Sequence, residues 1–385
     1  MELKKYKLGD IAEIYISSID KKSKDGEQSV KLCNFVDIYH NWAITKDLVP
    51  NFMIASANDN NIKRFSLKKG YVAFTKDSET RDDIGIPAYI ADDLDNTVLG
   101  YHCALAKPNA DILSGKYLNE FLHSDYIKKY FELNATGSGM RYTLSTETLN
   151  NIPILAPSLE MQESIGNIFS DIDRKISLNR QINDNLEEQL RLITSRYIFG
   201  CPNLEKKRIG EIATVKAGGD CPITFSKTRT QKCNIPIFSN GTEDRGLYGF
   251  TNKANIEGHS ITVAARGTIG YCERRLMPFM PIIRLLAITP KEDGAYIYLH
   301  QVIRGMKFKK NGSVQQQLTV PEISSIEIPY PHSSVLHEYN KAASPIVEMI
   351  ERNISENEIL TKQRDELLPL LMNGQATVNY HLSDD

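Results

Sequence analysis

Apolar side chains recur every three or four positions along residues 158–199, the period of one face of an α-helix. They are Ile165, Ile168, Ile172, Ile176, Ile182, Leu186, Leu190, Ile193 and Tyr197. Ser158 suits the N-cap and Gly200 the end, so the pattern predicts a helix about 60 Å long. Because the apolar stripe is narrow, a helix of this length requires a partner helix.

A second segment near the C-terminus repeats the pattern and supplies that partner. A shift of 178 positions aligns Ile168 with Ile346, Ile172 with Ile350, Ile176 with Ile354, Ile182 with Leu360 and Leu190 with Leu368. Since a whole domain separates the two segments, these ten residues are predicted to pack the helices together antiparallel. Leu186 aligns with Arg364, a departure from the repeat, and Pro369 is expected to kink or end the second helix.

The segments outside the helices also repeat. Residues 6–12 return as residues 207–213, and each segment closes on Ile-Pro, at Ile152 and at Ile328. Short β-type runs lie between these landmarks, so the fold class predicted is α+β, with two repeated α/β domains separated by two long antiparallel helices. The predicted bounds are domain 1 at 1–157, a central helix at 158–199, domain 2 at 200–330, a C-terminal helix at 331–378 and a tail at 379–385.

The net charge of −2 hides an asymmetry between segments. Residues 200–330 carry 18 Lys and Arg against 11 Asp and Glu, a net charge of +7, whereas residues 331–385 carry 4 against 9, a net charge of −5. Domain 2 therefore favours an anionic ligand, and the acidic helices favour a protein partner. The helix carboxylates predicted to bind that partner are Glu187, Glu188, Glu356 and Glu358.

The composition places the chain in the cytoplasm. The sequence has no apolar run long enough for a membrane span and no signal peptide, and its six cysteines form no CxxC pair. Isolated thiols are typical of a reducing compartment. We therefore predict a cytoplasmic protein that does not bind a membrane.

Catalytic and metal-binding motifs are not recognisable in the sequence. The acidic cluster at residues 77–83 could form a nuclease metal site, but no ExK-type strand follows it. Cys221, Cys233 and His259 could bind zinc, but their spacing fits no structural zinc pattern. The sequence therefore predicts a chain that is not an enzyme, with no metal and no cofactor.

Cations and amides near the end of each domain are the candidates for DNA contact. Lys and Arg suit phosphate, and Gln or Arg can bond base edges bidentately. The candidates are Lys76, Arg81, Ser138, Arg141 and Tyr142 in domain 1, and Arg266, Lys307, Lys309, Lys310, Asn311, Gln315, Gln316 and Gln317 in domain 2.

Two variable domains, each followed by a helix with the pattern Gln162-x-x-Ile165 and Ile172-Asp173-x-x-Ile176-x-x-Asn179, resemble the specificity subunit of Type I restriction-modification systems. In the second copy, Asn340 and Glu351 replace Gln162 and Asp173. The resemblance implies two target-recognition domains that read a bipartite, asymmetric site on double-stranded DNA. It also implies two methyltransferase (modification) subunits docked on the helices, with restriction subunits joining the full complex. A coiled-coil protein-interaction scaffold without DNA specificity is the alternative, and a nuclease that uses residues 77–83 is a weaker one.

Overall fold

The structure is a computed structural model that describes residues 2–139, 141–200, 204–308 and 317–378. The chain divides into two compact units. Unit 1 comprises Met1–Asn179 and Ser355–Asp385, and unit 2 comprises Arg180–Ile354. Each unit therefore contains one of the repeated domains together with part of both long helices.

Unit 1 is built on a five-stranded sheet with the order β2-β10-β6-β8-β4, flanked by the smaller sheets β5-β3-β9, β11-β12-β7 and β1-β13. The strands are β1 (Lys4–Lys7), β2 (Ala12–Ile16), β3 (Gln28–Cys33), β4 (Ala43–Ile44), β5 (Met53–Ala57), β6 (Val72–Thr75), β7 (Asp77–Ser78), β8 (Pro87–Ile90), β9 (Thr97–Leu99), β10 (Cys103–Pro108), β11 (Thr136–Ser138), β12 (Arg141–Thr143) and β13 (Pro153–Ala156). The helices are α1 (Leu8–Ile11), α2 (Phe35–Tyr39), α3 (Asp59–Phe65), α4 (Gly115–His123), α5 (Asp125–Asn134) and α6 (Thr146–Asn150), with a 3-10 turn at Lys46–Asn51.

The first long helix, α7 (Leu159–Thr194), passes from unit 1 into unit 2 at Arg180 and ends in a π-helical turn at Ser195–Phe199. Unit 2 has the sheets β15-β21-β18-β19, β17-β16-β20 and β14-β22. Its strands are β14 (Glu205–Arg208), β15 (Ala213–Ala217), β16 (Ile235–Phe238), β17 (Leu247–Thr251), β18 (Ser260–Ala264), β19 (Cys272–Arg275), β20 (Met280–Pro281), β21 (Leu285–Pro290) and β22 (Glu327–Tyr330). Its helices are α8 (Ile209–Ile212), α9 (Ala295–Gly305) and α10 (Val320–Ser325), with a 3-10 turn at Glu243–Gly246, and the second long helix is α11 (Ser333–Met372).

The repeat predicted from the sequence is confirmed by matching elements in the two units. Each domain opens with a strand, a one-turn helix and a second strand. The opening strand pairs antiparallel with the Ile-Pro exit strand, with Tyr6 opposite Ile154 in unit 1 and Lys207 opposite Ile328 in unit 2. The first and last landmarks of each domain are therefore neighbours in space, which closes the domain at its junction with the long helix.

The long helices share a hydrophobic core with the domains as well as with each other. In unit 1, Phe169 of α7 and Leu371 of α11 are buried in the same cluster as Tyr117 of α4. In unit 2, Leu190 and Tyr339 join the cluster that contains Tyr298 of α9. The apolar stripe is therefore buried both by the partner helix and by the domains. Burial by the partner helix was predicted from the sequence, whereas burial by the domains was not.

The buried positions of α7 follow a heptad pattern that includes polar residues. They run through Gln162, Ile165, Phe169, Ile176, Asn179, Leu186 and Leu190, with Ile172, Asn183 and Ile193 partly buried. Ile182 was predicted to pack in this seam, and that prediction is wrong, because its side chain is 43% exposed. Asn179 and Asn183 occupy the seam at this point, so Ile182 lies one position outside it.

The remaining predicted packing residues lie at or beside the seam. Ile176, Leu190, Ile350 and Leu368 are buried, while Ile168, Ile172, Ile346, Ile354 and Leu360 are partly buried. Pro369 was expected to kink or end α11, but the helix continues to Met372.

Hydrogen bonds between the helices show an antiparallel pairing within each unit. In unit 1, the buried Asn179 donates to Asn357 Oδ1 over 2.9 Å and to Glu356 Oε2 over 2.7 Å. In unit 2, Asn353 donates to Asn183 Oδ1 over 2.8 Å, and the hydroxyls of Thr194 and Tyr339 lie 2.9 Å apart. Residue numbers rise along α7 while those of their partners fall along α11, as an antiparallel pair requires.

Gln162 shows why the helix motif begins with an amide. Its Nε2 donates to the carbonyls of Ile112 and Pro157, and its Oε1 accepts from the Ser114 amide over 2.9 Å. In unit 2, Gly294 approaches the shorter Asn340 so closely that a Cβ would lie 2.4 Å from its Nδ2. The motif position therefore joins each domain to its helix, and Gly294 compensates for the shorter side chain.

Candidate nucleic-acid interface

In each unit, a backbone hydrogen bond joins the loop after a central strand, β6 in unit 1 and β18 in unit 2, to a segment later in the same domain. The Leu144 amide donates to the Lys76 carbonyl over 2.8 Å, and the Leu318 amide donates to the Ala265 carbonyl over 2.9 Å. Of the predicted DNA-contacting residues, Lys76 lies at the tie in unit 1, and Arg266 and Gln317 each adjoin the tie in unit 2 in sequence. The fold therefore presents equivalent loops with different side chains.

Asp77 organises the loop of unit 1. The Lys76 ammonium donates to its Oδ1 over 2.8 Å, and His102 Nδ1 lies 2.5 Å from its Oδ2. Burial alone would raise the pKa of Asp77, but hydrogen bonds from Lys76, Thr143 and His102 outweigh it, so the pKa lies below its ordinary value. The Lys76 side chain is only 13% exposed. Lys76 thus holds the loop together, and its charge is already matched inside the protein.

Arg141, in contrast, presents its guanidinium to solvent. The side chain is 62% exposed, and it lies 2.7 Å from His102 Nδ1. Next to it in sequence, Tyr142 carries the Arg81 guanidinium 5.0 Å above its ring. Ser138 pairs with Arg141 across the β11–β12 hairpin. The structure therefore brings four of the five candidates of domain 1 to the β11–β12 hairpin or its immediate neighbourhood, while Lys76 is largely buried.

A cleft of about 550 Å³ opens beside this hairpin. Its lining combines aromatic, acidic and cationic side chains, namely Phe35, Tyr39, Asp77, Ser78, Glu79, Thr80, Asp83, His102 and Arg141. Carboxylates accept hydrogen bonds from the amino groups of cytosine, and Arg donates to guanine. The cleft therefore offers the functional groups needed to read base edges.

Two of the four acids in the 77–83 cluster, Asp77 and Asp83, are engaged within the protein. Asp77 is bound by Lys76 and His102, and Asp83 accepts from the Tyr39 hydroxyl over 2.9 Å. Within the described ranges, no group of three or more His, Cys, Asp or Glu side chains could hold a metal ion. The nuclease and zinc alternatives therefore find no support in this part of the chain.

In unit 2, the candidates converge on the loop at residues 265–271. Asn240 donates to the Arg266 carbonyl over 2.9 Å, and Gln317 precedes the Leu318 amide that is tied to Ala265. Lys307 is exposed, and the ring of the following Phe308 packs on Gly270. Lys309, Lys310, Asn311, Gln315 and Gln316 lie outside the described residues.

A further set of exposed side chains on unit 2 was missed by the sequence analysis. Phe225 and Tyr248 have ring centroids 5.6 Å apart, and the Lys227 ammonium lies 4.6 Å from the Tyr248 ring. Ile223, two residues before Phe225, is fully exposed. A sequence feature that predicts this surface is Phe225 within a segment that has one acid, Asp220, and four cations, namely Lys216, Lys227, Arg229 and Lys232.

Glu187 does not lie on a free helix face, contrary to expectation. It accepts hydrogen bonds from Arg304 over 2.7 Å, from Gln301 and from the buried Arg274. On α11, Glu351 likewise binds Arg245 over 3.1 Å. In unit 2 these ion pairs fasten the domain to both helices. Glu188, in contrast, is exposed and bonds only Arg191 on its own helix among the contacts described.

Comparisons with known proteins agree with this architecture. The family model of the Type I restriction modification DNA specificity domain matches residues 1–188 and, a second time, residues 203–368. A Mycoplasma pneumoniae protein named as a type I specificity subunit is 31% identical over 250 residues, which cover 60% of this chain and 75% of that one. The HindI specificity subunit of Haemophilus influenzae is 23% identical over 403 residues, covering 80% and 87%.

A solved structure shows the same fold. It is the S subunit of a Type I restriction-modification system from M. genitalium, with a TM-score of 0.60 at 15% identity and 96% of each chain covered. Among the described residues, none of the helices has the length and apolar content that a bilayer crossing requires. Two family matches, one on each repeated domain, span most of the sequence, and the chain therefore belongs to the Type I restriction-modification specificity subunits.

Proposed function

We propose that residues 1–157 and 200–330 are two target-recognition domains, and that each reads one half of a bipartite, asymmetric site on double-stranded DNA. The observation that carries this proposal is the equivalent loop pair, tied at Leu144 in one unit and at Leu318 in the other. Because the two loop pairs occupy equivalent positions in the two domains, each domain reads one half-site. Because the side chains of the loops differ, the two half-sites have different sequences. The interval between them contains bases that neither domain reads.

Direct base contact in domain 1 is assigned to Arg141, with Arg81 and Tyr142 beside it. Arg141 is exposed, and its Nη2 lies 3.9 Å from Asp77 Oδ2, so the buried carboxylate orients the guanidinium before DNA binds. In domain 2, base contact is assigned to Arg266, Lys307 and Gln317, of which Arg266 and Gln317 adjoin the loop tie in sequence. Pre-oriented side chains lose less conformational entropy on binding, which increases both affinity and discrimination.

Catalysis belongs to other subunits, because specificity subunits are not themselves enzymes. We propose that two methyltransferase subunits dock on α7 and α11, that restriction subunits complete the complex, and that it acts in the cytoplasm on the DNA there. The exposed carboxylates available for docking include Glu188 and the partly exposed Glu356, which bonds Asn179 and Lys175. Glu187 is excluded from this role because it binds the domain.

The test is single-molecule methylation sequencing of DNA from cells that express the chain with its methyltransferase subunit. Arg141→Ala should relax one base position in one half-site, since a bidentate contact contributes about 1–3 kcal/mol of discrimination. The control, Lys5→Ala, removes an exposed cation on β1 and should leave the motif unchanged. A continuous motif, or a motif unaffected by Arg141→Ala, would contradict the proposal.

A further inference from the structure

The exposed segment at residues 223–232 of unit 2 is built on β17 through a close backbone approach. Ser226 and Phe250 exchange two backbone hydrogen bonds, over 2.9 and 2.8 Å. Gly249 makes room for this, because a Cβ there would lie 2.5 Å from the Phe225 ring and 2.7 Å from the Ser226 carbonyl. The Phe225 ring is therefore held in place while 37% of the residue remains exposed.

One cation lies beside this fixed ring, and two more follow in the sequence. The Lys227 ammonium lies 4.6 Å from the Tyr248 ring and 6.0 Å from the Phe225 ring, and Arg229 and Lys232 are exposed nearby in sequence. Residues 218–234 carry three cations and one acid. Cations beside exposed aromatic and apolar side chains suit a polyanion that also has apolar surface, which describes DNA.

The segment is linked through β17 and β16 to the loop that carries Arg266. Phe238, the last residue of β16, pairs with Leu247, which precedes Tyr248 in β17. Asn240 follows β16 by two residues, and its side chain donates to the Arg266 carbonyl. The surface at residues 223–232 is therefore connected through a short sheet to the recognition loop of the same domain.

Domain 1 has the matching segment without this chemistry. Residues 17–27 precede β3 as residues 218–234 precede β16, and the Lys24 amide is tied to Ser56 of β5 over 2.8 Å. Three cations in this segment, Lys21, Lys22 and Lys24, are balanced by three acids, Asp20, Asp25 and Glu27. The basic and aromatic surface is thus a property of domain 2.

We propose that Ile223, Phe225, Lys227, Arg229 and Tyr248 form a second DNA-contacting surface, which holds the backbone of the duplex beside the half-site of domain 2 without reading its sequence. This inference rests on the proposed function. Lys227 and Arg229 bind phosphates, and the apolar side chains pack on the sugar edge. Domain 2 then supplies sequence-independent affinity that domain 1 lacks.

The test measures binding of the full complex with methyltransferase subunits to a duplex that carries the methylation motif and to one with the motif scrambled, as a function of salt. In the double variant Lys227→Ala/Arg229→Ala, both duplexes should bind about tenfold more weakly, with the salt slope reduced by ~1.8. The methylated motif should not change. Phe225→Ser, which removes the apolar side chain and keeps both cations, tests the apolar contact separately and should also weaken binding to both duplexes.

The matched control is Lys21→Ala/Lys22→Ala in the equivalent segment of domain 1, where affinity should be unaffected. An unchanged salt slope in the Lys227→Ala/Arg229→Ala variant overturns the inference, and so does a changed methylation motif. Loss of co-purification with the methyltransferase subunit at unchanged DNA affinity also overturns it, because the surface then binds protein. If Arg141→Ala relaxes one half-site while the variants of Lys227, Arg229 and Phe225 bind DNA as the parent does, the inference fails and the proposed function stands.

Discussion

Single buried polar residues connect the helices to the domains, and Glu120 of α4 is the least satisfied of them. The residue is 1% exposed; its Oε1 accepts from Trp42 Nε1 over 2.9 Å, and its Oε2 has no partner among the described residues. Burial first, and the charge of Asp173 second, raise the pKa of Glu120 well above its ordinary value, against the hydrogen bonds from Trp42 and Asn119 and the charge of Arg364.

The raised pKa of Glu120 predicts a pH-dependent loss of stability. Between its unfolded and folded pKa values the native state binds more protons than the unfolded chain, so the free energy of unfolding falls as pH rises through that window. Glu120→Gln removes this loss while its amide oxygen still accepts from Trp42. Urea unfolding should show the variant more stable than the parent at pH 8 and equal to it near pH 4, below the unfolded pKa. A parent that is the more stable protein at pH 8 would contradict this.

At the scale of elements, the ion pairs between domain 2 and α7 are predicted to contribute to folding. Glu187→Lys places a like charge against Arg274, whose side chain is 4% exposed, and breaking a buried pair costs about 3–5 kcal/mol. The neighbouring Glu188→Lys is the matched control, since Glu188 bonds only Arg191 on its own helix among the contacts described. Thermal melting should show a lower midpoint for Glu187→Lys alone. Equal midpoints would mean that these ion pairs do not hold the domain.

The helices could be predicted from the sequence because their apolar period is a local property. The predicted central helix at residues 158–199 matches α7 with its π-helical turn, and the seam is found at Ile176 and Leu190. The exposure of Ile182 could not be predicted. Asn179 and Asn183 take the neighbouring seam positions because they hydrogen-bond to residues of α11, which are distant in sequence. Polar seam residues cannot be distinguished from surface ones until those partners are known.

The candidate interface could be predicted from the sequence only in part. Arg141 and Tyr142 follow a turn that repeats between domains, so their position could be read from the sequence. The ion pair between Arg141 and Asp77, and the contact of both residues with His102, depend on residues that are distant in sequence. The Phe225 surface needs Gly249, 24 residues away, and the sequence does not show that contact.

At the scale of the whole molecule, the boundaries of the two units predict where one half-site can be exchanged for another. The ion pairs of Glu187 and Glu351 lie inside unit 2, Arg180–Ile354. Replacing residues 180–354 with the equivalent unit of a relative therefore keeps each domain with the helix residues it binds. Methylation sequencing should show one half-site changed and the other retained.

Exchange of residues 203–330 alone is the informative comparison, because it separates the incoming domain from its helix partners. Glu187 and Glu351 would then meet whatever side chains the relative has in place of Arg274, Arg304 and Arg245. We expect this chimera to melt at a lower temperature than the 180–354 chimera, by several degrees, yet to change the same half-site. The proposed function assigns base reading to the loops of each domain and not to the helices, so a chimera in which both half-sites change would refute independent reading by two domains.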